Sequence, residues 1–355
     1  MRGVIFDDDG LAVRDDIEVR APRAGEVVVR IHAAGVCHSD TKVLSGATVH
    51  PLPVVLGHEG AGVVDEIGPG VSNVAVGDTV VLHTLRACGR CAACASGLPT
   101  RCRQSLGMID APFRVGGRVA HQFANTSVFV ERTVVSAGQV VRIDADIPMP
   151  VAALLGCGVI TGTGAVFNRA RVRVGESVVV IGVGGVGLNA LQAARISGAS
   201  RIVAVDTNEA KRTIASTFGA TDFVHAGDSV RSDVLDVVPG GADHVIVCIG
   251  AAPLVSLAVD LLAPGGQAVI VGFPGGGARA GFDMANLYQD KSILACRYGS
   301  ASPQRDVPLL ARLYAEGRLL LDELVTRTMP LEAVADAFTA MHDGTTDARS
   351  VLTLV

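Results

Sequence analysis

The aliphatic run Val178-Val179-Val180-Ile181 passes directly into Gly182-Val183-Gly184-Gly185-Val186-Gly187, and a helical pattern, Leu188–Ile196, follows. A buried strand, a glycine turn and a helix in that order leave few options for the chain. Gly182 permits the tight turn, Gly184 lets a ligand approach the backbone, and Gly187 allows the helix to pack closely on the strand. Further β-branched runs, Ile202–Val205, Val245–Ile249 and Ala268–Val271, alternate with helical patterns. Such alternation implies an α/β architecture with a doubly wound parallel sheet and helices on both faces.

The chemistry of this segment points to a dinucleotide. A helix N-terminus offers unpaired N–H groups and partial positive charge to phosphates. Asp206 ends the next aliphatic run, and an acid about 20 residues past the glycines is placed to accept from ribose hydroxyls. A carboxylate there repels a 2′-phosphate, which favours NAD over NADP. Lys211 and Arg212 lie nearby and weaken that preference; for Arg212 a solvated helix face is an equal reading.

Residues 1–150 have a different rhythm. Short strands are expected at Glu26–Ile31, Gly62–Ile67 and Asp78–His83, punctuated by Gly68-Pro69-Gly70 and Gly77-Asp78. The last fifty residues carry a helix-like Val307–Glu316 and a final strand, Ser350–Val355. A tail of this kind is expected to pack back on the first domain. At 355 residues the chain calls for two domains. A net charge of −5 without blocks of like charge gives no electrostatic case for nucleic acid or an anionic membrane. The uncharged stretches Ile147–Asn168 and Ser177–Ala194 are broken by glycines, so buried elements at a domain junction are expected rather than spanning helices. Acidic residues at Asp7, Asp8 and Asp9 stand where a signal peptide needs its apolar region, and a cytoplasmic protein is expected.

Six of the eight cysteines fall into two groups. Cys88, Cys91, Cys94 and Cys102 form a C-x2-C-x2-C-x7-C run among small neighbours, four thiolates with no open position, as a closed structural Zn²⁺ requires. Cys37 and Cys157 stand far apart, with His58 between them in sequence. Two thiolates and an imidazole leave a coordination position open, the pattern of a catalytic zinc. In a reducing compartment C-x2-C spacing favours a metal over disulfides.

Three strings carry a resemblance: Gly35-Val36-Cys37-His38-Ser39-Asp40, Gly57-His58-Glu59-Gly60-Ala61-Gly62, and Leu155-Gly156-Cys157-Gly158. With the four-cysteine run and Gly182–Gly187 in the same order, the chain resembles the zinc-dependent medium-chain alcohol dehydrogenases over nearly its whole length. The resemblance implies a GroES-like, mostly-β catalytic domain of residues 1–160 and 297–355, with a structural zinc lobe near 86–103. It implies a Rossmann NAD-binding domain of residues 161–296. Two Zn²⁺ per subunit follow: Cys37, His58 and Cys157 would hold the catalytic ion, and the four-cysteine run the structural one. Asp40 would orient the His58 imidazole, and Glu59 would sit behind the ion. Ser39 would hydrogen-bond the alcohol and pass its proton on. His38 and Arg349 would meet the pyrophosphate, Thr161, Val271 and Phe273 would contact the cofactor, and Lys211 would reach the adenosine ribose. The implied reaction interconverts alcohols and aldehydes or ketones by hydride transfer from a zinc-bound alkoxide to NAD. Pairing through residues 268–273 and 291–296 would make a homodimer, with a tetramer as the alternative.

Several positions depart from the family pattern. Lys42 stands where many members end a proton relay with histidine, and it is read either as a proton carrier or as a solvated lysine. Thr84 and Ala124 are small, while Phe123 and Phe273 are expected as apolar walls, so the pocket is expected to be roomier than one for ethanol. A thiol-adduct-dependent formaldehyde dehydrogenase and a biosynthetic carbonyl or enoyl reductase are the alternatives within this fold. A nucleotide- and metal-sensing protein without catalysis is the alternative outside the enzymes. The glutathione-binding branch carries a basic residue where this chain has Leu106; Arg101, Arg103, Arg114 and Arg118 are the nearby cations. Cys248 is expected to be a packing residue, and Cys296 is read either as facing a subunit contact or as filling space.

Overall fold

The computed structural model of the protein describes every residue except Leu106, Gly107, Asp144, Ala145, Asp146, Pro274, Thr345, Thr346, Asp347 and Val355. The Leu106 position and the end of the expected last strand at Val355 therefore lie outside the described residues. The chain divides into two compact units, Met1–Gly158 with Ser302–Val355, and Val159–Ala301.

The second unit is built on a six-stranded parallel sheet. Its order is Asp222–His225, Arg201–Asp206, Ser177–Ile181, Ala242–Val247, Leu262–Ile270 and Ser292–Ala295. Val179, Val203, Val245 and Ala268 are fully buried, as expected for strands covered on both faces. Gly185–Ile196 is the helix after the glycine turn. The run expected to extend to Ile249 ends at Val247. Beyond it, the Cys248 N–H donates to the Ile181 carbonyl, and Ile249 packs over Gly182, where a Cβ would lie 2.5 Å from its side chain. The run expected at Ala268–Val271 is the end of a longer strand, Leu262–Ile270.

The first unit holds two sheets, a division that strand patterns alone did not distinguish. Its longest strand, Glu26–Gly35, pairs with Glu59–Ile67, Arg132–Ser136 and Arg349–Thr353. Thr79–Leu82 and Val140–Arg142 continue this sheet on one side, and Val325–Pro330 on the other. The C-terminal tail thus completes the N-terminal sheet, and its last strand runs Arg349–Thr353 rather than from Ser350. The strand expected from Gly62 starts at Glu59, because Gly35 pairs with Glu59 and Ala34 with Gly60. Val27, Val29, Ile31, Val64, Val80, Phe129 and Leu352 form much of the core. A smaller sheet joins Gly10–Arg14, Gly3–Asp7, Val54–Val55, Arg118–Gln122, Phe113–Val115 and Ile17–Val19. The helix expected at Val307–Glu316 runs Pro303–Ala315, with Pro303 in the first turn, where its missing N–H costs nothing.

One helical run, Met149–Ala170, is long and apolar enough to cross a membrane, and 83% of its most apolar window is buried inside the protein. Over Leu155–Val159 it widens to a π-helix, a local feature frequent at functional sites; Cys157 sits in it.

Candidate active site

Cys37 caps the short helix His38–Leu44, and the carboxylate of Asp40 reaches back to the cap. Asp40 is completely buried. It accepts from the Cys37 N–H at 3.2 Å, the Gly57 N–H at 3.0 Å and His58 Nδ1 at 3.3 Å. One carboxylate therefore fixes the backbone before two candidate ligands and the orientation of the imidazole, and in the neutral ring it draws the proton to Nδ1. His58 Nε2 is buried and has no hydrogen-bond partner. The ligand atoms of Cys37, His58, Glu59 and Cys157 lie within 4.8 Å of one another. A buried ring nitrogen without a hydrogen-bond partner, beside two sulfurs, fits a metal ion. The thiol of Cys157, donating to the Cys37 sulfur, holds Cys37 well below the usual thiol range, with His58 adding to the effect. Ser39 Oγ lies 3.9 Å from Cys37 Sγ, on the exposed side of the helix.

Glu59 and Arg349 form a buried ion pair beside the two sulfurs. Burial raises Glu59 to about 7 against the opposing charge of Arg349. The guanidinium expected at a pyrophosphate is therefore engaged by this carboxylate. His38 is exposed on the first turn of the same helix as Asp40, and Lys42 lies half-buried in its last turn.

The four-cysteine lobe is compact. Cys91 Sγ and Cys94 Sγ are 3.6 Å apart, Cys88 Sγ and Cys94 Sγ 4.0 Å, and all four sulfurs lie within 4.8 Å of one another. Tetrahedral zinc with bonds of about 2.3 Å places its sulfurs about 3.8 Å apart, so the spacing fits. Backbone N–H groups of Cys88 and Gln104 hold the Cys102 thiol at about 6.

In the second unit the glycines divide as their roles require. Gly182 has φ +95°, and a Cβ on Gly187 would lie 1.9 Å from the Gly182 carbonyl oxygen. A Cβ on Gly184 would meet nothing within 4 Å. Turn geometry and helix packing thus demand glycine at Gly182 and Gly187, whereas at Gly184 the protein leaves open space. Gly185 and Val186 begin the helix. Asp206 accepts from the Val183 N–H at 2.7 Å and the Asn208 N–H at 3.0 Å, and pairs with Lys211 at 3.2 Å. Arg212 instead pairs with Glu209 on the surface. Thr161 is 9% exposed, and Val271 donates its N–H to Val247. Phe273, expected as an enclosed wall, is 69% exposed beyond its strand.

Phe123 stands edge-on to the His58 ring, centroids 5.6 Å apart, and to His50 at 6.0 Å. Ala124 follows with φ 50°, and the Asn125 side chain donates to the Thr84 carbonyl at 3.2 Å. Thr84 is thus linked, across 41 positions, to the segment that carries Phe123 and Ala124, and Phe123 in that segment rests against His58. Asn125 and Gln139, which tie that region together, escaped the sequence reading. The available signal was an asparagine among β-branched residues, a type enriched where φ is positive. The cations Arg114 and Arg118 flank a hairpin turn, with Arg114 bonded to the Gly117 carbonyl and Arg118 facing Asp8 at 4.0 Å.

Comparison with known proteins bears on these sites. The model for the alcohol dehydrogenase GroES-like domain matches residues 23–145, and that for zinc-binding dehydrogenases matches residues 185–316. An S-(hydroxymethyl)glutathione dehydrogenase of Photobacterium damsela subsp. piscicida is 39% identical over 342 residues, 93% of each chain. The chain belongs to the zinc-dependent medium-chain alcohol dehydrogenases. Another dehydrogenase of that description, from Synechocystis sp., is 37% identical over 93% of each chain. Among solved structures, an alcohol dehydrogenase zinc-binding domain protein from Burkholderia ambifaria superposes with a TM-score of 0.94 at 34% identity, covering 100% of this chain and 98% of that one. A benzyl alcohol dehydrogenase from Acinetobacter calcoaceticus superposes with a TM-score of 0.92 at 31% identity, covering 100% and 99%. As a medium-chain alcohol dehydrogenase the protein is a GroES-like plus Rossmann α/β oxidoreductase.

Proposed function

We propose that the protein oxidises alcohols to aldehydes or ketones with NAD, and catalyses the reverse reduction, using Cys37, His58 and Cys157 as ligands of a catalytic zinc. The observation that carries this reading is the buried, unpartnered His58 Nε2 held toward two sulfurs by Asp40. Bound in these two places, zinc supplies a Lewis acid and NAD a hydride acceptor. Ser39 Oγ, beside Cys37, takes up the proton of the substrate hydroxyl. Lys42 lies one helical turn further on, where it could serve the relay only by first giving its own proton to solvent. Asp40 keeps the imidazole from rotating, and Glu59 with Arg349 forms the charged floor behind it. Gly184 leaves the backbone open to a pyrophosphate. Asp206 favours NAD, since a 2′-phosphate would approach its carboxylate, a repulsion that Lys211, paired with it at 3.2 Å, offsets only in part. The small side chains of Thr84 and Ala124 favour an alcohol larger than ethanol. The eight free thiols suit a reducing, cytoplasmic setting. Strand Ser292–Ala295 ends its sheet, which leaves an edge for pairing into a homodimer.

The names of the relatives favour a second reading, oxidation of a formaldehyde–thiol adduct. Initial rates of nicotinamide reduction separate the two. The test uses ethanol, benzyl alcohol, and formaldehyde with and without glutathione, each with NAD and with NADP. The first reading expects turnover of alcohols with NAD in the absence of thiol; turnover only with formaldehyde and glutathione together would replace it by the second.

A further inference from the structure

The segment Phe123–Ser127 holds three non-glycine residues in left-handed backbone: Ala124 at φ 50°, Asn125 at φ 61° and Ser127 at φ 49°. Each such residue costs about 1 kcal/mol or more, so surrounding bonds must hold the segment in place. Ser127 Oγ accepts from the Phe123 N–H at 2.8 Å and donates to the Val55 carbonyl at 2.6 Å. Gln122 Nε2 donates to the carbonyls of Thr126 and Val134. These bonds anchor the two ends of the segment.

The middle is held differently. Gln139 is 1% exposed, and its Nε2 donates to the carbonyls of Asn125 at 3.0 Å and His83 at 3.2 Å. Its Oε1 accepts from the Ser136 N–H at 3.4 Å, and its own carbonyl accepts from the His83 N–H at 3.0 Å. Both donors of one buried amide are therefore committed to two different segments. Asn125, 9% exposed, adds the link from its Nδ2 to the Thr84 carbonyl. Thr84 and Ala124, proposed above for the substrate pocket, are thus joined through Asn125 and Gln139, while Phe123 rests against His58.

We propose that Asn125 and Gln139 are positioning residues that fix Thr84 relative to Ala124, and thereby set which alcohols fit beside His58. This rests on the alcohol dehydrogenase reading. Neither side chain reacts; each acts through the wall it holds. Glycine at position 125 tolerates the left-handed backbone and removes only the tie to Thr84. Methionine at position 139 keeps the volume and removes both donors.

The test compares the holoenzyme with its Asn125→Gly and Gln139→Met variants on ethanol and on benzyl alcohol. The expected result is a change of about fivefold or more in the ratio of the two KM values, since a methylene's worth of fit in an apolar pocket is worth about 10–200-fold in discrimination. The kcat on ethanol, the KM for NAD and the zinc content should stay within about twofold of the parent. A KM ratio unchanged in the variants, or kcat lowered equally for both alcohols, would overturn the proposal. If one variant is insoluble, the other decides alone. A parent enzyme that turns over neither alcohol would overturn the underlying reading and this proposal with it; an active parent with unshifted variants overturns the proposal only.

Discussion

His58 and Asp40 are joined in the buried floor of the site, Nδ1 to Oδ1 at 3.3 Å, and the same carboxylate holds the backbone N–H groups of Cys37 and Gly57. One side chain thus organises two of the three proposed zinc ligands, although they lie far apart in sequence. Asp40→Ala should lower zinc content from about two to about one per chain in the presence of a weak chelator, because partners of this kind are worth about 10–100-fold in metal affinity. Metal analysis after dialysis checks this. Retention of both ions would mean that the ligands are preorganised without Asp40.

The Glu59–Arg349 pair predicts a different pattern. Both groups are buried, so removing one partner leaves an uncompensated charge and costs about 3–5 kcal/mol. Arg349→Met should therefore destabilise the protein strongly in chemical denaturation. The double change Glu59→Gln with Arg349→Met should recover much of the loss, since both charges are then gone. If the double variant is as unstable as the single one, the arginine acts through packing instead.

The glycines of the Gly182–Gly187 turn should separate in one experiment. Gly184→Ala meets open space and should fold with unchanged Tm while raising the KM for NAD by about tenfold or more. Gly187→Ala would drive a Cβ to 1.9 Å from the Gly182 carbonyl and should lower Tm as well. Equal effects of the two on stability would contradict the assignment of Gly184 to the ligand.

His83 supplies a pH dependence. It is 2% exposed, its ring nitrogens have no hydrogen-bond partner, and burial pushes its pKa down to about 4. An unfolded histidine titrates near 6.5. Between these values the unfolded chain binds a proton that the folded one does not, so stability rises with pH across that window. The contribution is fully present above about pH 6.5 and falls by about 3 kcal/mol as pH drops to about 4. His83→Leu should flatten that part of the stability profile; a profile parallel to the parent's would show that other groups dominate.

What the sequence made legible was the chemistry carried by short strings. The turn at Gly182–Gly187, the acid at Asp206 and the four-cysteine run each have fixed local spacing, and the structure gathers them as that spacing requires. The region beside His58 was less legible, because its geometry depends on long-range contacts. Nothing near Arg349 in sequence reveals that it meets Glu59 across 290 positions. The left-handed path of Ala124 and Asn125 depends on amide donors from Gln139, which no periodicity encodes. Strand ends shifted for a similar reason: Cys248 and Ile249 look β-forming but are diverted over the Gly182 turn. The helix around Cys157 read as an apolar stretch, and its widening at Leu155–Val159 left no mark in composition.

The central claim is that Cys37, His58 and Cys157 hold a zinc that acts on alcohols. The most direct measurement is the initial rate of NAD reduction by benzyl alcohol, without added thiol, for the intact enzyme and for Cys37→Ala at matched folding and matched structural zinc. The account predicts turnover by the intact enzyme and a loss of about a thousandfold or more in the variant, as expected when a catalytic metal is removed. Full activity in Cys37→Ala would contradict it.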